Sequence, residues 1–199
     1  MKKLLLIFLL CFQFINAQET DSKVKQTETK SALAAKKNEV RLDVLGLIAF
    51  SKFNLTYERF LNKGFSVGLS GSYSDSKKIN DDFDAGNRNT MPKYEVIPFV
   101  RYNLSQGAAS YYFAEVFADA NGGDFRETVL LTDLSGNDYY AIQKSSYSDV
   151  ALGASAGYKF YIKDTFGVEF LVGFGANLLN KDKSPDIMSR VGLGASYRF

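Results

Sequence analysis

From about residue 39 onward the chain alternates apolar and polar side chains with a period of two, the signature of half-buried β-strands. Eight runs of this kind are predicted. The first covers about 39–50, with Val40, Leu42, Val44, Ile48 and Phe50 on one face. The second covers 53–61, with Phe53, Leu55 and Tyr57 opposite Asn54, Thr56 and Glu58. The third, over 65–74, alternates Phe65, Val67, Leu69 and Tyr73 with Ser66, Gly68, Ser70 and Ser72. Runs follow at 94–104, 111–120, 148–161, 166–177 and 191–199; in the last, Val191, Leu193, Ala195, Tyr197 and Phe199 share a face. Four positions fit poorly. Leu45 and Leu47 fall on the polar face of the first run, Arg59 falls on the apolar face of the second, and Pro98 demands a bulge or a strand end.

The connections alternate in length. Stretches 62–64, 105–110 and 162–165 are short, whereas 75–93, 121–147 and 179–188 are long and polar, apart from a short link at Ser51-Lys52. Alternation alone leaves open which face is outside, since a soluble lipocalin-like barrel would turn its apolar face inward. Three features favour apolar-out. The polar face carries groups able to pair across a narrow lumen: Arg41, Asp43, Glu58, Glu95, Arg101, Glu115, Asp149, Lys159, Glu169 and Arg198. On lipid, each basic group would cost roughly 2–4 kcal/mol at mid-depth. Aromatic residues gather near the strand ends (Tyr57, Phe65, Tyr73, Tyr94, Tyr102, Phe160, Tyr197, Phe199), as at a membrane interface. Long loops fall on one rim only. The expected fold is therefore all-β: an eight-stranded antiparallel up-and-down transmembrane β-barrel over 39–199, with the nine residues from Arg41 to Glu169 as a lumen charge network.

The first residues have the form of an export signal. Lys2 and Lys3 precede the apolar run Leu4–Phe12, and Ile15-Asn16-Ala17 offers a cut, giving 1–17 as signal peptide. Residues 18–38 are polar and aperiodic, a flexible periplasmic lead-in in which 31–36 has the composition of one helical turn. Cys11 is the single cysteine and leaves with the signal, so neither disulfides nor thiol chemistry are expected. With 24 basic and 22 acidic residues there is no bias to attract nucleic acid. After the signal no apolar run is long enough for a transmembrane helix, so a spanning form has to be a barrel.

The terminal Gly194-x-x-Tyr197-x-Phe199 resembles the assembly signal of Gram-negative outer-membrane β-barrels, although Gly192 stands where that signal is usually polar. Leu55-Thr-Tyr-Glu-Arg-Phe-Leu-Asn-Lys-Gly64 and Gly157-Tyr-Lys-Phe-Tyr161 look like small barrels of the OmpA/OmpX/OmpW-like superfamily, and more closely like exported barrel families without an assigned function. The resemblance implies residence in the outer membrane, contact with its lipid and insertion by the barrel-assembly machinery. It carries no catalytic residue across.

Histidine is absent from the chain. That excludes a Ser-His-acid site and a histidine general base, and with no mature cysteine it disfavours zinc and copper. Glu58, Glu95, Glu115 and Glu169 could serve as an acid/base pair, but the same residues suit a salt-bridge network with Arg41, Arg101 and Lys159. Gly173-Phe-Gly175 and Gly192-Leu-Gly194 do not complete a nucleotide loop; at period two they make room in a narrow barrel. Asn80-Asp-Asp-Phe-Asp84 lacks EF-hand spacing. Around Ser135-Gly-Asn137, the runs 128–134 and 138–142 suggest a hairpin raised above the membrane that either meets a partner or only extends two strands. The leading expectation is a non-enzymatic barrel, without cofactor, active in surface contact or envelope integrity through its outer loops. A narrow pore for small or apolar solutes and a lipid-modifying enzyme using inward carboxylates are the alternatives.

Overall fold

The computed structural model describes residues 32–61, 64–105 and 109–199. The expected signal peptide, residues 18–31 of the lead-in and the turns at 62–63 and 106–108 lie outside them. Eight antiparallel strands close into a barrel: β1 Asn38–Asp43, β2 Lys52–Phe60, β3 Phe65–Ser74, β4 Thr90–Asn103, β5 Ser110–Thr132, β6 Asp138–Ile162, β7 Phe166–Asn177 and β8 Ile187–Arg198. Each strand pairs with its neighbours in sequence, and β8 returns to β1 from Glu39↔Arg198 to Asp43↔Gly194. Asn38 and Phe199 exchange both backbone hydrogen bonds, at 2.9 and 2.7 Å. The terminal residues thus form the closing seam. Tyr197 points outward there, and Gly194 leaves room for Arg41, whose Cδ would lie 2.5 Å from an added Cβ.

Outside and inside fall as the alternation requires. Leu69, Val116, Leu152, Phe170 and Phe174 are more than half exposed around the wall, whereas Glu58, Arg101, Glu115, Lys159 and Glu169 in the lumen are at most 2 % exposed. An apolar belt over a charged interior is the arrangement for a lipid solvent. Aromatic pairs mark the end that holds Asn38 and Phe199: Phe65–Tyr102, Tyr112–Tyr158 and Phe166–Tyr197, with ring centroids 4.8, 4.8 and 5.6 Å apart.

Four expectations need correction. The first strand stops at Asp43, and Val44–Phe50 form a helix. To number the helices in chain order, α1 is Ala32–Ala35, α2 is Val44–Phe50 and α3 is Lys77–Asp84. Asp43 caps α2 by accepting the Gly46 N–H at 3.1 Å, and Ser51 ends it in the left-handed region at φ 51°. The helix accounts for Leu45 and Leu47, which no strand face could place together with Val44 and Ile48. Second, β5 and β6 run far past the expected limits at 120 and 148 and remain paired to Thr132↔Asp138, so the hairpin expected around Ser135-Gly-Asn137 is the continuation of these two strands. Third, Pro98 sits inside β4 without a bulge. Pairing with β5 skips Ile97 and Pro98 and resumes in the same register at Phe99↔Phe117; the register shift falls instead between Pro92 and Tyr94. Fourth, the lead-in is too long at its inner end. Leu33 of α1 is buried against Phe60, Tyr111, Phe113 and Tyr161, and Asn38 already belongs to β1. Arg59 stays outside, as expected, and donates to the Asn38 side chain at 2.7 Å.

Glycines set the clearance of the lumen. An added Cβ on Gly157 would lie 2.4 Å from the Phe113 ring and 2.2 Å from the Phe170 carbonyl, whereas one on Gly71 meets nothing within 4 Å. Gly157→Val is therefore expected to destabilise the barrel by about 1–3 kcal/mol or more through overpacking. Gly71→Val should be near neutral. Heat-modifiable gel migration and urea unfolding in lipid vesicles check both, and equal behaviour of the two variants would contradict the packing described.

Candidate functional site: the lumen charge network

Period two puts alternate residues of every strand into the lumen, and the register decides which of them meet. Arg101 of β4 lies opposite Glu115 of β5, and Lys159 of β6 opposite Glu169 of β7. Glu39 of β1 lies opposite Glu58 of β2, a like-charge pair that would be destabilising alone. Lys159 resolves it by reaching Glu39 at 2.6 Å, Glu58 at 3.1 Å and Glu169 at 2.8 Å. Glu169 Oε2 also accepts from Arg41 at 2.6 Å and Arg101 at 2.7 Å. Glu58 takes both guanidinium groups at 3.2 Å and the Ser66 hydroxyl at 2.6 Å. Glu115 accepts from Arg101 at 2.8 Å, from Ser155 at 3.0 Å and from Arg190. Four carboxylates, Glu39, Glu58, Glu115 and Glu169, therefore face four cations, Arg41, Arg101, Lys159 and Arg190.

Aromatic rings enclose this network. The Arg101 guanidinium lies 3.7 Å from the Phe113 ring centre and 5.3 Å from that of Phe99. Toward the termini, Arg198 stacks on Phe60 at 3.5 Å and donates to the Tyr161 hydroxyl at 3.1 Å, and Leu33 closes the same layer. Toward the other end, Ile97, Phe99 and Phe117 form a second apolar cluster, and Arg190 lies 5.1 Å from the Phe117 ring centre. Stacked in this way, the layers fill the bore.

Of the nine residues expected in the network, six are in it: Arg41, Glu58, Arg101, Glu115, Lys159 and Glu169. Three are elsewhere. Asp43 caps α2 and also accepts the Leu193 N–H at 3.3 Å. Glu95 pairs with Lys52 at 2.6 Å and with Ser72 at 3.1 Å, nearer the far rim. Asp149 gathers the N–H groups of Leu179 and Asn180, both at 2.9 Å, and the Ser184 hydroxyl, fixing the β7–β8 connection. Period two assigns side chains to the lumen but not to a depth within it. The residues missed are Glu39 and Arg190. Glu39 has the same parity as Arg41, so alternation could have found it; Arg190 lies one residue before the predicted start of the last strand.

Glu39, Glu58 and Glu169 bring carboxylate oxygens within 4.8 Å of one another, the one candidate metal cluster among the described residues. The Lys159 ammonium stands among them with three partners, so the position a divalent ion would take is filled by the protein's own cation. Each of these glutamates is ion-paired, which leaves none poised to exchange a proton with a substrate.

Above the second apolar cluster the lumen widens into a cavity of ≈ 460 Å³, lined by Lys52, Arg88, Lys93, Glu95, Ile97, Met188 and others. Among the described residues the interior is thus filled at the end that holds Asn38 and Phe199 and through its middle, and hollow at the opposite end.

A closed, up-and-down, eight-stranded barrel with an apolar wall and a filled charged bore is the architecture of the small outer-membrane barrels. The chain belongs to the family described as protein of unknown function (DUF3575), which matches residues 5–190. Among solved structures it is similar to the N-terminal β-barrel domain of Pseudomonas aeruginosa OprF, at 11 % identity and a TM-score of 0.54, over 82 % of this chain and 98 % of that one. It is also similar to Neisserial surface protein A, at 11 % identity and a TM-score of 0.51, over 82 % of this chain and 95 % of that one. These likenesses concern the fold. No curated protein matches the sequence.

Removing one partner from a buried network leaves charges uncompensated, which typically costs about 3–5 kcal/mol. Glu169→Gln keeps the shape and removes the charge shared by Arg41, Arg101 and Lys159. A loss of that size is expected in urea unfolding from phospholipid vesicles, with the folded band retained on gels. A loss below about 1 kcal/mol, the usual worth of an exposed pair, would contradict this account of the lumen.

Proposed function

We propose that the protein resides in the outer membrane as a non-enzymatic barrel and works at the cell surface through its β5–β6 hairpin. The observation that carries this reading is a contrast between bore and rim. Buried ion pairs and aromatic layers fill the middle of the lumen, which disfavours free diffusion. On the side away from Asn38 and Phe199, one element stands clear of the barrel. Beyond Thr90↔Phe125 the hairpin has no third strand and extends ~20 Å further, at about 3.3 Å per residue. Its flanks expose Leu130, Leu131, Tyr139, Tyr140 and Ile142, and its tip exposes Leu134. Exposed apolar groups beside open strand edges suit contact with another chain. Outer-membrane lipid around the wall and the barrel-assembly machinery at the seam complete the set of proposed partners.

The hairpin is built to keep its shape. At the tip the Asp133 carboxylate accepts the N–H groups of Ser135 at 2.8 Å and Asn137 at 2.9 Å, and Gly136 takes the left-handed turn at φ 82°. At the base α3 leans on it. Phe83 is buried, Arg126 donates to the Phe83 and Asp84 carbonyls, and Lys144 pairs with Asp84 at 2.6 Å. The backbone hydrogen bond from Asn137 holds the Asp133 carboxyl below the usual aspartate range, and the hydrogen bond from Lys144 does the same for Asp84. Both shifts are depressions. Their contribution is full above the ordinary aspartate range and is lost as pH falls through the lowered values. NMR order parameters at the tip should accordingly stay flat from neutral pH through the ordinary aspartate range and drop only below it. Asp133→Asn should bring the drop to neutral pH.

The functional test replaces 128–142 with Asn-Gly and expresses the shortened chain in cells lacking the protein. The variant should still fold and reach the surface, while cell settling and adhesion fall to the level of the deletion. Undiminished contact by the shortened barrel would overturn the hairpin's role. Reproducible unit conductance of the full chain in planar bilayers would replace this reading with a pore.

A further inference from the structure

The barrel wall is incomplete on one side. β1 reaches β8 only as far as Asp43↔Gly194 and β2 only as far as Leu42↔Leu55. Beyond those pairs, Ile187 to Gly192 pair with β7 alone and Lys52 to Asn54 with β3 alone, while the Leu193 N–H is taken by the Asp43 carboxylate at 3.3 Å. A free strand edge inside a bilayer leaves backbone N–H and C=O groups without partners, at several kcal/mol each. What stands in the gap is α2. Its Leu47, Ile48 and Phe50 are 42, 80 and 52 % exposed, as expected of a helix that touches lipid, and Gly46 is buried against the barrel.

The ≈ 460 Å³ cavity lies behind this gap. Its lining includes Gly46 and Phe50 of α2 and residues from both faces of β8: Met188, Arg190 and Gly192, which point into the lumen, and Ile187 and Val191, which point out. On this side the cavity is bounded by α2 and by the stretch of β8 that β1 leaves unpaired, so no strand ladder closes it there. Its floor, by contrast, is shut by Ile97 and by the Arg41–Glu169 pair.

The lining states the chemistry of an occupant. Apolar contact comes from Phe50, Ile79, Ile97, Leu171, Met188 and Val191. Arg41, Lys52, Arg88, Lys93 and Arg190 outnumber Asp43, Glu95 and Glu169. Four of those cations are paired, Arg41 with Glu169, Lys52 with Glu95, Lys93 with Asp124 and Arg190 with Glu115. Arg88 has no ion pair among the described residues, and its Nε is buried without a hydrogen-bond partner. At about 30 Å³ for each water-sized group, the volume holds about fifteen such groups, which suits one alkyl chain better than two.

We propose that this cavity is a binding site for a single-chain anionic amphiphile, a long-chain carboxylate, that enters from the outer leaflet between α2 and β8. The chain lies along Ile97, Leu171 and Met188, and the carboxylate meets Arg88 near the rim. Because the floor is shut, the site is blind: it holds the amphiphile and does not pass it through the barrel.

The chain contains no tryptophan, so a single one can report. Met188→Trp places it in the cavity, and Phe170→Trp places it on the lipid-facing wall. Both are reconstituted in nanodiscs and titrated with dibromostearate, with dibromostearylamine as the cationic control. Quenching at position 188 should saturate at a concentration at least tenfold below that needed at position 170, and the amine should show no such preference. In the Met188→Trp background, Arg88→Gln should raise the required concentration about tenfold. Gly192→Phe should abolish saturation by filling the passage; the nearest atoms to an added Cβ there belong to Asp43, at 3.4 Å, ordinary contact distance, and gel migration checks that the variant folds. Identical titrations at 188 and 170, an equal response to the amine, or no effect of Arg88→Gln would each overturn the proposal. Undiminished saturation by folded Gly192→Phe would overturn the sideways route.

Discussion

Seven buried charges and the half-buried Arg190, inside one narrow cylinder, must all be satisfied together or not at all. Glu39, Glu58, Glu115 and Glu169 each cost several kcal/mol to remove from water, as do Arg41, Arg101, Lys159 and Arg190. No pair among them is self-sufficient. Glu169 serves three cations and Lys159 serves three carboxylates, so each strand's contribution has value only when the others are in register. Every strand except β3 supplies an ionic side chain to this lumen. β3 supplies Ser66, which completes Glu58, and Gly68, which leaves space for Phe99. The network thereby acts as a register check. A slip of one residue along any strand would send its charge to the lipid face and leave several others unpaired.

That constraint explains why so much of the barrel was legible from residue order. A strand between lipid and a charged lumen has no freedom to mix its faces, so period two survives along almost its whole length. The failures occur where one of the two solvents is missing. Val44–Phe50 is apolar on every side, and an apolar run without alternation fits a short helix as well as a strand. Beyond the rim, β5 and β6 meet water on both faces, so the stretches between the barrel and the hairpin tip, about 121–127 and 143–147, show no amphipathic pattern and resemble loop, although the tip itself was legible as a hairpin. Pro98 shows a different limit. A closed ladder can drop two pairs beside a proline and resume in register, because the neighbouring strands are held by their other edges.

For the site, alternation separated lumen from lipid and left height unspecified. Glu95 and Glu115 share a face assignment, yet one pairs with Lys52 near the rim and the other with Arg101 and Arg190 at mid-depth. The difference comes from the tilt and stagger of strands around a closed barrel, which no single strand encodes. Asp43 and Asp149 illustrate a second ambiguity. An inward-facing aspartate at the end of its own strand, as Asp43 is, or beside the end of its neighbour, as Asp149 is beside β7, is as well suited to capping backbone N–H groups as to pairing with a cation, and here both cap.

The two ends of the barrel consequently do different work. At the end with Asn38 and Phe199, Leu33, Phe60, Tyr111 and Tyr161 stopper the bore and Arg198 ties the last strand to Tyr161 and to the Lys36 carbonyl, so closure and sealing are one structure. At the other end the wall is uneven. It is low at β1–β2, where α2 replaces a strand, and high at β5–β6, where the hairpin rises. A barrel optimised only for stability would equalise its strands, since every unpaired edge in lipid is costly. Retaining a short β1 beside a tall β8 is economical only if the gap is covered. In this chain the cover is a seven-residue helix that turns Ile48 outward and Gly46 inward. The asymmetry therefore locates whatever specificity the molecule has in the half of the barrel where the charge network no longer dictates the structure.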